Sequence, residues 1–75
     1  MKRSTAEKVR NSIKGVMDSK RIKTPELANL AGLSYGAVNN ILNGETDNPT
    51  LNSIERIADA LDMTVVGLIN WKGKS

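Results

Sequence analysis

"ELANLAGLSYGAVNNILNG", residues 26–44, contains two short helical patterns with only Gly32, Leu33 and Ser34 between them. Leu27, Ala28, Leu30 and Ala31 give the first pattern an apolar face over barely two turns, and Gly32 stops it. Ser34 caps the second, which runs to about Asn43 and closes on Gly44. Helices joined by so short a link must turn sharply against each other, which requires small residues at the crossing and buried ones around it. Leu27, Ala31, Leu33, Val38 and Ile41 supply a shared core, Ala28 allows the closest approach, and Gly32 is free to take positive φ in the turn. Together these residues form a helix-turn-helix pattern.

Outward from this unit the chain remains helical. Thr24-Pro25-Glu26 starts the first of the two helices, with threonine as cap, proline at the first helical position and glutamate complementing the dipole. Upstream, Val9, Ile13 and Val16/Met17 share one face of a helix beginning near Ser4 or Thr5, with Asp18 to Arg21 as its frayed end and a turn. Downstream, a polar loop spans Glu45 to Pro49. Thr50 then caps a helix whose stripe is Leu51, Ile54, Ile57/Ala58 and Leu61, and Thr64 caps a last one through Leu68, Ile69 and as far as Trp71. Thr64-Val65-Val66 is too short for a strand, and the flanks of Asn43-Gly44 alternate too poorly for a hairpin. The expected fold is all-α, five helices in a single domain spanning residues 1–75, with its core at about 5–71.

Composition removes several function classes. At 75 residues the core only just offsets chain entropy, and the absence of cysteine and histidine excludes disulfides, zinc fingers and imidazole-based metal or catalytic sites. No apolar run reaches the roughly 18 residues of a membrane span, and the basic start leads into a polar segment, so a cytoplasmic protein is expected. Glu55, Asp59 and Asp62 lie at helical spacing without a partner for catalysis. Ser12-Ile13-Lys14 and Ser19-Lys20 hold serine and lysine but no oxyanion hole. No enzyme, cofactor, metal or small-molecule site is expected.

The charges are unevenly placed. Residues 1–23 hold eight basic side chains (Lys2, Arg3, Lys8, Arg10, Lys14, Lys20, Arg21, Lys23) against Glu7 and Asp18, whereas residues 24–71 hold Arg56 against six acidic ones. This distribution would attract a polyanion to one side of the molecule, but charge alone favours the alternative reading of a solvated lysine-rich helix face. On the second helix of the pair, advancing about 100° per residue sets Val38, Ile41 and Leu42 on one side and Gly36, Asn39, Asn40 and Asn43 on the other. Asparagine is a poor helix former, and a surface selected for solubility would use Glu and Lys. An amide donates and accepts together, which matches adenine N6 and N7 in the major groove. The uncharged face has the chemistry of a base reader.

The stretch 24–44, with the block "NPTLNSIERIADALDMTVVGLI", resembles the DNA-binding domain of the lambda-type phage repressor and Cro (XRE-type) family over about residues 9–70. The resemblance implies a compact five-helix domain that binds operator DNA as a homodimer with its third helix in the major groove. It implies base readout from Tyr35, Gly36, Ala37, Asn39 and Asn40, where Ala37 can meet a thymine methyl and Gly36 lets the backbone come close. It implies phosphate contacts from Asn43 and Thr24, to which Lys23, with Lys14, Lys20 or Arg21, adds counterion release, and Thr46 and Asn48 in the loop are weaker candidates. The family's dimer interface falls at residues 64–71, which points to Val65, Val66, Leu68 and Trp71, although Trp71 can equally lid the core. Two departures stand out: Arg21 where a turn glycine is common, and Val65-Val66-Gly67 where acidic residues are common after the cap. The function implied is a transcriptional regulator, most simply a repressor. An antitoxin-like or adaptor module on the same fold is the alternative, and it would show apolar anchors on the third helix. Nothing corresponds to the self-cleaving C-terminal domain of larger repressors, so a complete Cro-like chain and the N-terminal part of a longer repressor are both compatible with the sequence.

Overall fold

The backbone amides and carbonyls left unpaired at helix ends must find partners, and the caps that supply them divide this chain. The computed structural model describes residues 5–45 and 49–71, which contain no strand. They form five helices: α1 (Thr5–Lys20), α2 (Thr24–Ala31), α3 (Tyr35–Asn43), α4 (Leu51–Ala60) and α5 (Val65–Ile69). Ser34 Oγ accepts the Ala37 N–H at 3.1 Å, Thr50 Oγ1 the Ser53 N–H at 3.1 Å, and Thr64 Oγ1 the Gly67 N–H at 3.0 Å. Each such cap stabilises its helix by about 1 kcal/mol. At the other ends, Gly32 (φ 70) and Gly44 (φ 78) close α2 and α3 in the left-handed region.

Two boundaries in the first half of the chain, those of α2 and α1, differ from the sequence expectation. The cap of α2 is Lys23, not Thr24: Lys23 has extended backbone and its carbonyl accepts the Leu27 N–H at 2.9 Å, so Thr24 is already helical. A lysine side chain has no acceptor and makes no cap bond. Pro25 still costs nothing, because all of the first amides of a helix lack an internal acceptor. Helix α1 does not fray at Asp18 but continues to Lys20, and Arg21 ends it with φ 58. The Ile22 N–H donates to the Met17 carbonyl at 2.9 Å and the Arg21 N–H to the Asp18 carbonyl at 3.2 Å, the bonding of a Schellman end. A side chain in this conformation is strained, which gives the missing glycine a physical consequence. Arg21→Gly is expected to stabilise the protein by about 0.5–1 kcal/mol net of the glycine's extra unfolded-state entropy. A thermal melt that shows no gain would count against strain at this turn.

The core draws on every helix. Ile13, Leu27, Val38, Ile57, Leu61 and Leu68 are essentially inaccessible, and Val9, Val16, Met17, Ala28, Ala31, Ile41, Leu42, Ile54 and Ala58 complete it. Helix α2 packs on α3 and α4, while α1 packs on α3 and α5, so α3 is braced from two sides. Two expected core residues lie outside. Leu30 is 54% exposed, on the edge of α2 away from Leu27 and Ala31, and Leu51 is 66% exposed, leaving Ile54 to begin the buried stripe of α4 one turn later. Helix α5 stops at Ile69, short of Trp71. Trp71 instead folds back as a partly buried residue whose ring lies on Gly15 of α1, where a Cβ would overlap the ring and stand 2.8 Å from Cη2. Gly15 thus provides the recess that receives the tryptophan.

Candidate nucleic-acid interface

Helix α3 turns its apolar residues inward and its amides outward. Val38, Ile41 and Leu42 are buried, while Gly36, Asn40 and Asn43 form an exposed line at i, i+4 and i+7. Tyr35 is 54% exposed at the N-terminal end of the helix. Asn39 and Ala37 are half-buried at the edges of this face.

A shallow surface groove runs where the end of α1, the start of α2 and α3 meet. It is lined by Lys14, Lys23, Thr24, Tyr35, Asn39 and Asn43, together with Asp18 and the apolar Met17, Ile22, Pro25 and Leu42. The fold therefore gathers from three separate helical segments Lys14, Lys23, Thr24 and Asn43, singled out in the sequence for phosphate contact, with Tyr35 and Asn39 of the readout set. Lys14 comes to the groove from α1, Lys23 and Thr24 from the start of α2, and Asn39 and Asn43 from α3. Lys14 and Lys23 are exposed and Thr24 is half-buried. Gly36, Ala37 and Asn40 do not line the groove; they lie on the adjoining surface of α3. Lys20 and Arg21 are exposed at the end of α1, whereas Thr46 and Asn48 lie outside the described residues.

The expected dimer residues are distributed differently. Leu68 is fully buried, because α5 uses it to dock on the core, so it has no side chain to offer a partner. Val66 and Ile69 are 67% and 40% exposed, one turn apart on the outer side of α5. Val65 and Trp71 are partly buried against the core.

Two arginines matter that sequence reasoning treated only as charge. The Arg10 Nε–H donates to the Ile41 carbonyl at 3.2 Å, tying α1 to the last turn of α3, and its guanidinium lies over Gly44. Arg56 of α4 approaches Gly32 in the same way: its Nη1 is 3.2 Å from where a Cβ on that glycine would be. Both helices of the pair thus end beneath a guanidinium, which complements the negative pole of each helix dipole. No local signal points to the Arg10 contact, since its partner is 31 positions away. The left-handed glycines also serve here by leaving room for the guanidinium groups.

No described helix is long and apolar enough to cross a membrane. No curated protein and no solved structure matches the chain. A model of the Cro/C1-type HTH DNA-binding domain matches residues 12–74, which include the whole of the capped two-helix unit and its exposed amide face. The chain belongs to the family of Cro/C1-type helix-turn-helix DNA-binding domains.

Proposed function

We propose that the chain is a single-domain, sequence-specific transcriptional regulator: a cytoplasmic repressor that occupies a palindromic operator as a homodimer with α3 in the major groove. The observation that carries this reading is the pairing of an uncharged amide face on α3 with a lysine-flanked groove beside it. In this arrangement Asn39 and Asn40 read base edges, Tyr35 and Ala37 add apolar and hydroxyl contacts, and Gly36 lies on the same face. Lys14, Lys23, Thr24 and Asn43 hold the phosphates and set the register. The exposed Val66 and Ile69, beside Val65 and Trp71, supply the apolar surface for the dimer.

Selection of duplexes from a random library by the purified chain, at near-physiological salt, tests this directly. Enrichment of a palindrome with half-sites about one helical turn apart is expected. Enrichment of nothing, with weak and salt-sensitive binding alone, would overturn sequence-specific reading and direct attention to a protein partner for α3. Sedimentation on the selected duplex tests the dimer, and a single bound copy per palindrome would refute it.

The two classes of contact separate by mutation. Asn40→Ala is expected to cost about 1–3 kcal/mol on the selected duplex and little on random DNA. Lys23→Gln is expected to weaken all duplexes alike and reduce the slope of log K against log salt by about 0.9. Equal losses on both kinds of DNA for Asn40→Ala would remove Asn40 from the readout set.

A further inference from the structure

Of the glycines at positions 15, 32, 36, 44 and 67, four have a reason within the chain. Gly32 and Gly44 take positive φ, Gly15 receives the Trp71 ring, and a Cβ on Gly67 would lie 3.1 Å from Thr64 Oγ1, the hydroxyl that caps α5. Gly36 has none. It is the second residue of α3, it lies outside the left-handed region, it is exposed, and a Cβ built on it meets no atom within 4 Å. Alanine would fit there and is the better helix former. The fold by itself disfavours glycine at this position.

The remaining side chains of the exposed line suggest what the missing one permits. Asn40 and Asn43 stand one and two turns further along that line, and both are short. An asparagine amide reaches a base edge only when the helix backbone itself lies close to the groove floor, whereas glutamine or arginine reads from further away. A side chain at position 36, one turn before Asn40, would meet the DNA first and hold the helix off.

We propose that Gly36 sets the depth at which α3 enters the major groove, and that its bare Cα is the point of closest approach to the DNA. This rests on the reading of the chain as an operator binder. Gly36 is here a specificity determinant through the absence of a side chain, and the protein retains a less stable helix in exchange for closer contact.

The test compares the wild-type chain with Gly36→Ala by thermal melting and by fluorescence anisotropy on two duplexes, the one enriched from the random library and a scrambled version of it. Gly36→Ala is expected to raise Tm by about 4 °C. It is expected to weaken the enriched duplex by about tenfold or more, as the loss of a base-reading contact would, and the scrambled one by less than about twofold. Enriched-duplex affinity that stays within about twofold of wild type would overturn the depth assignment and leave the operator reading standing. Equal losses on both duplexes, or a lowered Tm, would also overturn it, by showing a general or a structural role for Gly36. A wild-type chain that prefers no duplex would overturn both the assignment and the reading on which it rests.

Discussion

Arg10→Ala is expected to lower stability by about 3 kcal/mol, a large share of the roughly 4–11 kcal/mol typical of a chain this size. The substitution removes a charge-assisted hydrogen bond to the Ile41 carbonyl, which is worth about 1.5–3 kcal/mol. It also removes a cation from the negative end of α3 and the buried part of a long side chain. Arg10→Met, which keeps most of the stem, is expected to recover part of the loss and so separate packing from charge. Urea denaturation gives both numbers. An Arg10→Ala unfolding free energy within about 0.5 kcal/mol of wild type would show that the guanidinium contributes no net energy. Because Arg10 grips the last turn of α3, the end that carries Asn43, its loss should also loosen the helix proposed to read DNA. Affinity for the enriched duplex is therefore expected to fall further than the removal of one positive charge predicts.

Gly15→Ala provides the sharper contrast of sign. Glycine inside a 16-residue helix costs roughly 1 kcal/mol relative to alanine, so propensity alone predicts a more stable protein. The Trp71 ring reverses that expectation. A Cβ at position 15 overlaps the ring, which must then leave the surface of α1. Exposing about half of a tryptophan's roughly 200 Å² forfeits about 2–3 kcal/mol, so the net result is a loss of about 1–2 kcal/mol. Trp71 is the chain's single tryptophan, and its emission reports the event without a label. A shift to longer wavelength together with a lower melting temperature is expected. A stabilised variant with unchanged emission would show that the ring does not rest on Gly15.

These two contacts also mark where local reading ends. Helix existence, helix order and most boundaries were legible because capping and periodicity operate within about four residues. Ser34, Thr50 and Thr64 each bond an amide three positions on, and Gly32 and Gly44 take the positive φ that turn chemistry requires. The cap of α2 slipped by one position because Lys23 accepts the Leu27 amide through its backbone carbonyl, and that role leaves no mark in a side chain. The division of α3 into an apolar and an amide face also followed from sequence, since the helical repeat sets it, except that Asn39 is half-buried at the edge of the outer face.

Which apolar residues are buried depended on the neighbours each helix meets. Leu30 and Leu51 have the same hydrophobicity as Leu27 and Leu61, yet they stand exposed because no facing helix covers them. Leu68, expected at a dimer surface with Val66, is instead the residue by which α5 docks on the core. The groove that gathers Lys14, Lys23 and Thr24 beside Tyr35 and Asn39 exists only once α1 and α2 have packed around α3. By itself the sequence determined the five helices, their turn and the chemistry of the third helix's outer face, because these arise from interactions within a few residues. The tertiary structure alone decided that Arg10 clamps that helix from 31 positions away and that Trp71 settles on Gly15, because long-range packing depends on the relative placement of whole helices, which local pattern does not encode.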